Sequence, residues 1–183
     1  MERHSEVGQD LFAFERCGKI TDGTFLDIGC GDPTVFNNTF GLENIGWRGL
    51  LVEISPRWVG ECAAKRKSPL LVEDATKLLD YEWIQVCAAV GLSSSIDYLS
   101  LDIDEHPEEG SQKELTVLKS LFDAGFRFRA ITVEHDAYRL GDEPRASIRV
   151  LLLSQGYLLD RANVPYAPGS GHEFEDWWTR DGI

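Results

Sequence analysis

A short apolar segment that ends in an acidic, glycine-containing turn constrains the fold of this chain more than any other feature. Residues 24–28 read Thr-Phe-Leu-Asp-Ile, and Gly29, Cys30, Gly31 and Asp32 follow directly. Two glycines one residue apart let a backbone pass close to a ligand, because neither carries a Cβ atom. A strand followed by such a turn is typical of nucleotide-cofactor sites, although an ordinary strand-to-helix turn would show the same glycines.

The charge of this turn and its missing third glycine indicate which cofactor it suits. A dinucleotide site has Gly-x-Gly-x-x-Gly and places a pyrophosphate on helix amides, whereas Thr34 stands at the third glycine position here. The carboxylates of Asp27 and Asp32 would repel a pyrophosphate but attract an ammonium or sulfonium group. S-adenosylmethionine carries both cationic groups and no phosphate. We therefore predict that Asp27 and the amides around Gly29 and Gly31 hold its methionine portion.

Acidic residues also end the later apolar segments. Glu53 follows the glycine turn by roughly twenty residues, which is where such folds bind ribose hydroxyls. Asp74 ends the next segment and is predicted to contact the adenine amino group, although it could equally cap the helix that follows. Because the carboxyl ends of parallel strands share one edge of a sheet, these acids should lie along one ligand-binding edge. The segments predicted as strands after the first are 49–53, 69–74, 96–104, 128–136, 157–159 and 174–179.

Helical patterns alternate with these strands, which predicts a Rossmann-like, doubly wound α/β fold with a mostly parallel sheet of about seven strands. We expect the aromatic strand at 174–179 to close one side of this sheet. The chain of 183 residues suits a single domain, with an N-terminal helix and lead-in at 1–22 and the Rossmann-like core at 23–183. The predicted helices are 7–17, 33–46, 56–66, 78–90, 115–122 and 145–155.

Composition argues against several classes of partner. The formal net charge of -13 disfavours a nucleic-acid substrate, which needs Lys and Arg to displace counterions. No long uninterrupted apolar segment predicts a membrane span, and the first six residues lack the apolar core of a signal peptide, so we expect a cytoplasmic protein. The four cysteines show no paired spacing of the zinc or redox type and are expected to be reduced and mostly buried.

Six blocks of sequence resemble, in order, the FkbM-type S-adenosylmethionine-dependent methyltransferases. The resemblance implies the class I methyltransferase fold, S-adenosylmethionine as cofactor, and O-methylation of a hydroxyl on a small-molecule or carbohydrate-like acceptor. It also places Asn38 among the cofactor-binding residues. The chain departs from the family at 105–112, where the family commonly continues directly into a helix. The blocks are 5–12, 23–29, 38–43 with 46–53, 96–104, 131–135, and 156–157 with 174–178.

Four titratable residues that end the fourth and fifth strands are candidates for catalysis. Methyl transfer to a hydroxyl is an in-line displacement that a base assists. His135 is predicted as this base, with Asp102 and Glu134 beside it, because imidazole has the unperturbed pKa nearest neutrality. His135 could instead only form a structural hydrogen bond. Together with Asp104, the same residues could bind Mg²⁺ or Mn²⁺, which would lower the pKa of a bound hydroxyl.

Two alternatives to a methyltransferase stay open at this point. One is an oxidoreductase with a nicotinamide cofactor, which the acidic turn and Thr34 disfavour. The other is a non-catalytic module that binds the cofactor and acts as a scaffold. Because nearly all residues belong to the predicted core, the acceptor site would be open or completed by another subunit, so a homo-oligomer is also considered.

Overall fold

The computed structural model describes residues 1–103, 112–167 and 169–182. Seven strands and seven α-helices lie within them. The strands are β1 Thr24–Ile28, β2 Arg48–Val52, β3 Leu70–Leu71, β4 Ser95–Leu101, β5 Arg127–Glu134, β6 Leu158–Pro165 and β7 Glu173–Thr179. The helices are α1 Gln9–Arg16, α2 Phe40–Asn44, α3 Pro56–Lys65, α4 Asp80–Ala89, α5 Lys113–Asp123, α6 Ala137–Leu140 and α7 Asp142–Ser154.

The strands form one sheet in the order β3-β2-β1-β4-β5-β7-β6. Pairs from β3 to β5 are parallel, whereas β7 is antiparallel to both of its neighbours. The order reverses between β1 and β4, so their carboxyl ends flank the crevice where open α/β sheets bind ligands. The predicted Rossmann-like, mostly parallel sheet of about seven strands is confirmed.

Alternating side chains of each strand divide the core into two layers. On β1, Leu26 and Ile28 face the layer that holds buried residues of α4, α5 and α7. Phe25 faces the other layer, with buried residues of α1, α2 and α3. Helices therefore cover both faces, as a parallel sheet requires. No helix in the described part of the chain is long and apolar enough to cross a membrane.

The predicted helix at 33–46 is wrong over most of its length, since only Phe40–Asn44 is helical. The Asp32 carboxylate accepts hydrogen bonds from the amides of Thr34 and Val35, both at 2.9 Å. The Asn37 side chain accepts from the amides of Thr39 at 3.0 Å and Phe40 at 2.8 Å. Such local bonds offer the backbone an alternative to helix, which is why Asp and Asn favour turns.

Two strand predictions also need correction. The strand at 69–74 shortens to Leu70–Leu71, because Asp74 already begins a single 3₁₀ turn at Ala75–Lys77. The aromatic strand does not close the sheet, because β7 lies between β5 and β6 and β6 forms the edge. Trp177 and Trp178 point into opposite core layers and are both buried, as expected for a strand inside a sheet that is covered on both faces.

A buried arginine holds the long loop between β1 and α2. Arg66, which follows α3, donates to Glu43 at 3.2 Å, to Asn37 at 3.1 Å and to Thr39 at 2.9 Å. Its ion pair with Glu43 is almost free of solvent, with side-chain exposures of 0% and 3%. Asn37 in turn donates to the carbonyl oxygens of Cys30 at 2.8 Å and Asp32 at 3.0 Å. The glycine turn is thereby tied to the end of α3.

We expect Arg66→Met to lower the free energy of unfolding by about 3 kcal/mol, because it leaves the Glu43 carboxylate buried without its counter-ion. Urea unfolding followed by circular dichroism measures the change. Lys65→Met is the matched control, since the neighbouring Lys65–Glu61 pair is about half exposed on both sides and should contribute little. Equal stability of the Arg66 variant and the wild-type protein would show that other packing holds the loop.

Candidate functional site

A cavity of about 490 Å³ opens at the carboxyl ends of the strands. One half lies over the ends of β1, β2 and β3 and the other over the ends of β4 and β5, so β1 and β4 meet in the middle. The first half is lined by Ile28, Gly29, Gly31, Val52, Glu53, Ile54, Ser55, Trp58, Glu73, Asp74 and Ala75. The second half is lined by Glu6, Asp102, Ile103, Lys113, Glu134, Tyr166 and Phe174.

Gly29 is required by the close approach of two chain segments. Its φ is 75°, and a Cβ atom built there would lie 1.8 Å from the carbonyl oxygen of Asp102. Its amide donates to the carbonyl of Val52 at 2.9 Å. Gly31 also has a positive φ of 56°, but a Cβ atom there would meet no other atom within 4 Å. Steric contact therefore demands glycine at 29, whereas backbone conformation favours it at 31.

Glu53 clamps the glycine turn to the end of β2. One carboxylate oxygen accepts from the amide of Gly31 at 2.9 Å. The other accepts from the amides of Ile54 at 2.8 Å and Ser55 at 2.7 Å. Glu53 lines the cavity although it is only 7% exposed. These bonds hold the Glu53 carboxylate in the first half of the cavity. The sequence predicts that it binds the ribose hydroxyls of the cofactor there.

The contacts of Asp74 are those of a residue that caps the following helical turn. Its carboxylate accepts from the Thr76 hydroxyl at 2.7 Å and the Thr76 amide at 3.0 Å, and it pairs with Lys77 at 3.0 Å. The Thr76 bonds, and then Lys77, lower the pKa of Asp74 against the opposing effect of partial burial. The residue still lines the cavity, so its position also agrees with the predicted adenine contact.

Two of the predicted cofactor residues do not line the cavity. Asp27 is buried and accepts from the Thr39 hydroxyl at 2.5 Å. Burial raises its pKa to about 6, although Arg66 and Thr39 act in the opposite direction. Asn38 is also buried, and its amide nitrogen donates to Ser100 at 3.1 Å. Both side chains brace the loop behind the turn, and their contact with the cofactor stays a prediction.

Carboxyl groups are concentrated in the second half of the cavity. Burial raises the pKa of Glu134 well above its ordinary value of 4.5, and Asp102 and then Asp136 raise it further. The pKa of Glu6 is raised as well, by burial and by Asp102, against a hydrogen bond from Tyr166. Neighbouring carboxyl groups that cannot all ionise are typical of acid–base sites. Asp102 and Glu134 both line this half of the cavity, and their catalytic role stays a prediction.

His135 does not line this cavity, which corrects its predicted place beside the acceptor. Its imidazole is fully buried, with Nδ1 accepting from the Ala137 amide at 3.1 Å. Nε2 faces Asp176 at 3.6 Å. Although burial opposes it, Arg149 and then His135 hold the pKa of Asp176 below its usual range. The contacts of His135 are those of a structural residue that joins β5 to β7.

The metal hypothesis receives no support from the described residues. Over 1–103, 112–167 and 169–182, no three His, Cys, Asp or Glu side chains group in a way that could hold a metal ion. The contacts of the His135 imidazole are with Ala137 and Asp176, and His135 does not line the cavity that Asp102 and Glu134 line. Asp104 and the segment 104–111 lie outside the described residues.

Sequence reasoning missed Glu6, Tyr166 and Phe174, which close the second half of the cavity. Glu6 arrives there because Asp10 folds the preceding segment back, accepting from the Ser5 hydroxyl at 2.5 Å and the His4 amide at 2.7 Å. Tyr166 and Phe174 lie on either side of the β6–β7 turn, their rings 5.6 Å apart. The sequence block at 5–12, which resembles the FkbM type, was an available signal for the N-terminal segment. The positions of Tyr166 and Phe174 depend on the pairing of β6 with β7, which local sequence does not show.

No family model and no curated protein matches this sequence. Solved structures match it in fold. Magnesium protoporphyrin IX methyltransferase from Synechocystis PCC 6803, with bound SAM, has a TM-score of 0.59 at 17% identity, covering 96% of this chain and 81% of that one. An S-adenosylmethionine-dependent methyltransferase from Clostridium acetobutylicum has a TM-score of 0.63 at 11% identity, covering 97% and 93%.

SMU.1697c from Streptococcus mutans, in complex with SAH, has a TM-score of 0.60 at 11% identity and covers 98% of each chain. At these identities the likeness defines the fold, which is the Rossmann-like fold of S-adenosylmethionine-dependent methyltransferases. The resemblance to the FkbM type stays a prediction, because no family model matches.

We expect Gly29→Ala to prevent folding or to cost more than about 3 kcal/mol, because the new methyl group would overlap the Asp102 carbonyl. Gly31→Ala is the matched control: it has the same sign of φ but open space around it, and should cost only about 1 kcal/mol. Urea unfolding measures both. Similar losses in the two variants would show that backbone conformation, and not the contact with Asp102, demands glycine at 29.

Glu134→Gln should raise the melting temperature at neutral pH. A carboxyl whose pKa is raised on folding binds its proton more tightly in the folded state, so stability falls as pH rises from the unfolded value of 4.5 through the folded pKa. Glutamine does not ionise, so the variant does not lose this stability as the pH rises. The difference between variant and wild type should therefore grow in thermal unfolding as the pH rises above the ordinary pKa of 4.5. A constant difference would contradict the raised pKa, and Glu73→Gln controls for loss of an exposed carboxyl.

Proposed function

We propose that this protein is an S-adenosylmethionine-dependent methyltransferase that methylates a hydroxyl group on a small-molecule or carbohydrate-like acceptor. The observation that carries the proposal is the glycine turn held by Glu53 at the reversal of strand order, within a fold shared with methyltransferases. At Gly31, where a Cβ atom would meet no other atom within 4 Å, the absence of a side chain leaves room for a cofactor against the backbone of the turn.

The two halves of the cavity suit a donor and an acceptor. The half over β1, β2 and β3 contains the turn, Glu53 and the Trp58 ring, which suit the amino-acid, ribose and adenine parts of the cofactor. When bound, S-adenosylmethionine supplies an electrophilic methyl group. Asp102 lies at the junction of the halves, because its carbonyl touches Gly29. An acceptor in the second half would therefore meet the methyl group beside Asp102.

The pair Asp102 and Glu134 suits the role of base. Burial and the nearby Asp102 raise the pKa of Glu134, so its ionised form is a stronger base than an ordinary carboxylate and suits the uptake of a hydroxyl proton. A carboxylate of the pair would take up the proton of the acceptor hydroxyl as that hydroxyl oxygen replaces the sulfur on the methyl carbon and S-adenosylhomocysteine leaves. Carboxyl groups of Glu6, Asp102 and Glu134 outnumber the ammonium group of Lys113 in the lining of the second half, which disfavours phosphorylated or carboxylated acceptors.

Cofactor binding is the first test. Isothermal titration calorimetry should show binding of S-adenosylhomocysteine to the wild-type protein, and Glu53→Gln should weaken it at least about tenfold, because an amide NH₂ group would face a backbone N–H of the turn. Glu73→Gln, on the same side of the cavity but exposed, should change the affinity by less than about twofold. Binding of NADH without any binding of S-adenosylhomocysteine would support the oxidoreductase and exclude this proposal.

Methyl transfer is the second test. The protein with S-adenosylmethionine and a panel of neutral, cationic and anionic hydroxyl compounds should release S-adenosylhomocysteine with neutral or cationic members. Glu134→Gln should keep S-adenosylhomocysteine affinity but slow transfer by about 10²-fold or more. His135→Gln should leave the rate within about tenfold if folded, since its ring does not face the acceptor. Cofactor binding without transfer to any member would favour the scaffold.

A further inference from the structure

Two cysteine thiols touch beside the glycine turn. The sulfur atoms of Cys30 and Cys62 lie 3.6 Å apart, and both residues are buried. Cys30 is the residue between Gly29 and Gly31, whereas Cys62 lies on α3 and donates to the carbonyl of Gly31 at 3.5 Å. Thirty-two residues separate the two in sequence, which is why spacing did not reveal the pair.

The other two cysteines have no such neighbour among the described residues. The Cys17 thiol donates to the carbonyl of Asp97 at 3.4 Å. Cys87 packs in the opposite core layer, with α4. A disulfide has an S–S length of about 2.05 Å, so the sulfurs of Cys30 and Cys62 would approach by about 1.5 Å.

We propose that Cys30 and Cys62 form a reversible disulfide with hydrogen peroxide as oxidant, and that this disulfide weakens cofactor binding by displacing the glycine turn. The second part rests on the proposed function, since it concerns the same cofactor site. The first part depends only on the contact between the thiols.

Cys62 is the thiol that attacks peroxide. The hydrogen bond from Cys30 lowers its pKa, and the positive charge of Arg66 lowers it further, against the effect of burial. The Cys62 thiolate forms an S–O bond as the O–O bond breaks and hydroxide leaves. The Cys30 sulfur then attacks the Cys62 sulfur, the S–O bond breaks, and water leaves with the Cys30 proton. Two thiols are oxidised and one peroxide is reduced to two waters.

The disulfide would alter contacts that hold the turn. Cys62 would lose the proton that it donates to Gly31. The neighbouring Gly31 amide donates to Glu53 at 2.9 Å, and the Cys30 amide to Val52 at a longer 3.4 Å. Movement of Cys30 toward α3 would pull these amides away from their acceptors. Because Gly31 and Glu53 line the half of the cavity proposed to hold the cofactor, its affinity should fall.

Cross-linking is tested by mass spectrometry. The protein is treated with hydrogen peroxide, denatured, and its free thiols are alkylated with iodoacetamide. We expect two of the four cysteines to escape alkylation and a digest to contain a Cys30–Cys62 peptide that dithiothreitol cleaves. Cys62→Ser and Cys30→Ser should each abolish this peptide, whereas Cys87→Ser should keep it. Full alkylation after peroxide, or oxidation of Cys62 to a sulfinic acid without the cross-link, would overturn the proposal.

The effect on the site is tested by calorimetry with S-adenosylhomocysteine. Oxidised protein should bind about tenfold more weakly than reduced protein, and dithiothreitol should restore the affinity. The Cys62→Ser affinity should not respond to peroxide. A cross-linked protein with unchanged affinity would overturn the regulatory part alone. Reduced protein that never binds S-adenosylhomocysteine would overturn the proposed function, while the mass-spectrometric result on the cross-link would stand separately.

Discussion

The close contact between Gly29 and the carbonyl of Asp102 is the constraint on which the cavity depends. It brings the end of β1 against the end of β4, where the strand order reverses in the middle of the sheet. Residues that would bind a cofactor and residues that would bind an acceptor are thereby placed next to each other. A side chain at position 29 would force these strand ends apart and separate the two halves. The absence of a methyl group at position 29 therefore sets the distance between the two halves of the cavity, across which a group would be transferred.

Buried polar contacts behind the glycine turn keep it in one conformation. Glu53 holds the turn from the side of β2, and Arg66 holds the following loop through Glu43, Asn37 and Thr39. A turn ordered before a ligand arrives loses less conformational entropy on binding. The same rigidity places the thiols of Cys30 and Cys62 in contact, so the feature that favours binding also creates a position where oxidation could act.

The acidic residues of this chain serve two different purposes, although they look alike in sequence. Those near the ends of the first three strands accept hydrogen bonds: Asp27 from Thr39, Glu53 from backbone amides, and Asp74 from Thr76. The acids of the second half face one another, so burial and mutual repulsion raise the pKa values of Glu134 and Glu6. Raised pKa values cost folding free energy, and such costs are common at sites of acid–base chemistry.

The sequence by itself determined the alternation of strands and helices, the glycine turn and the carboxylates at the strand ends, because these are local patterns of hydrophobicity and charge. Asp32 and Asn37 are local signals against a helix at 33–46, but the hold of Arg66 on this loop depends on a residue distant along the chain. Tertiary structure alone decided that β7 lies inside the sheet, that His135 turns toward Asp176, and that Glu6 and Tyr166 reach the cavity. Each of these depends on contacts between distant residues, which no local periodicity records.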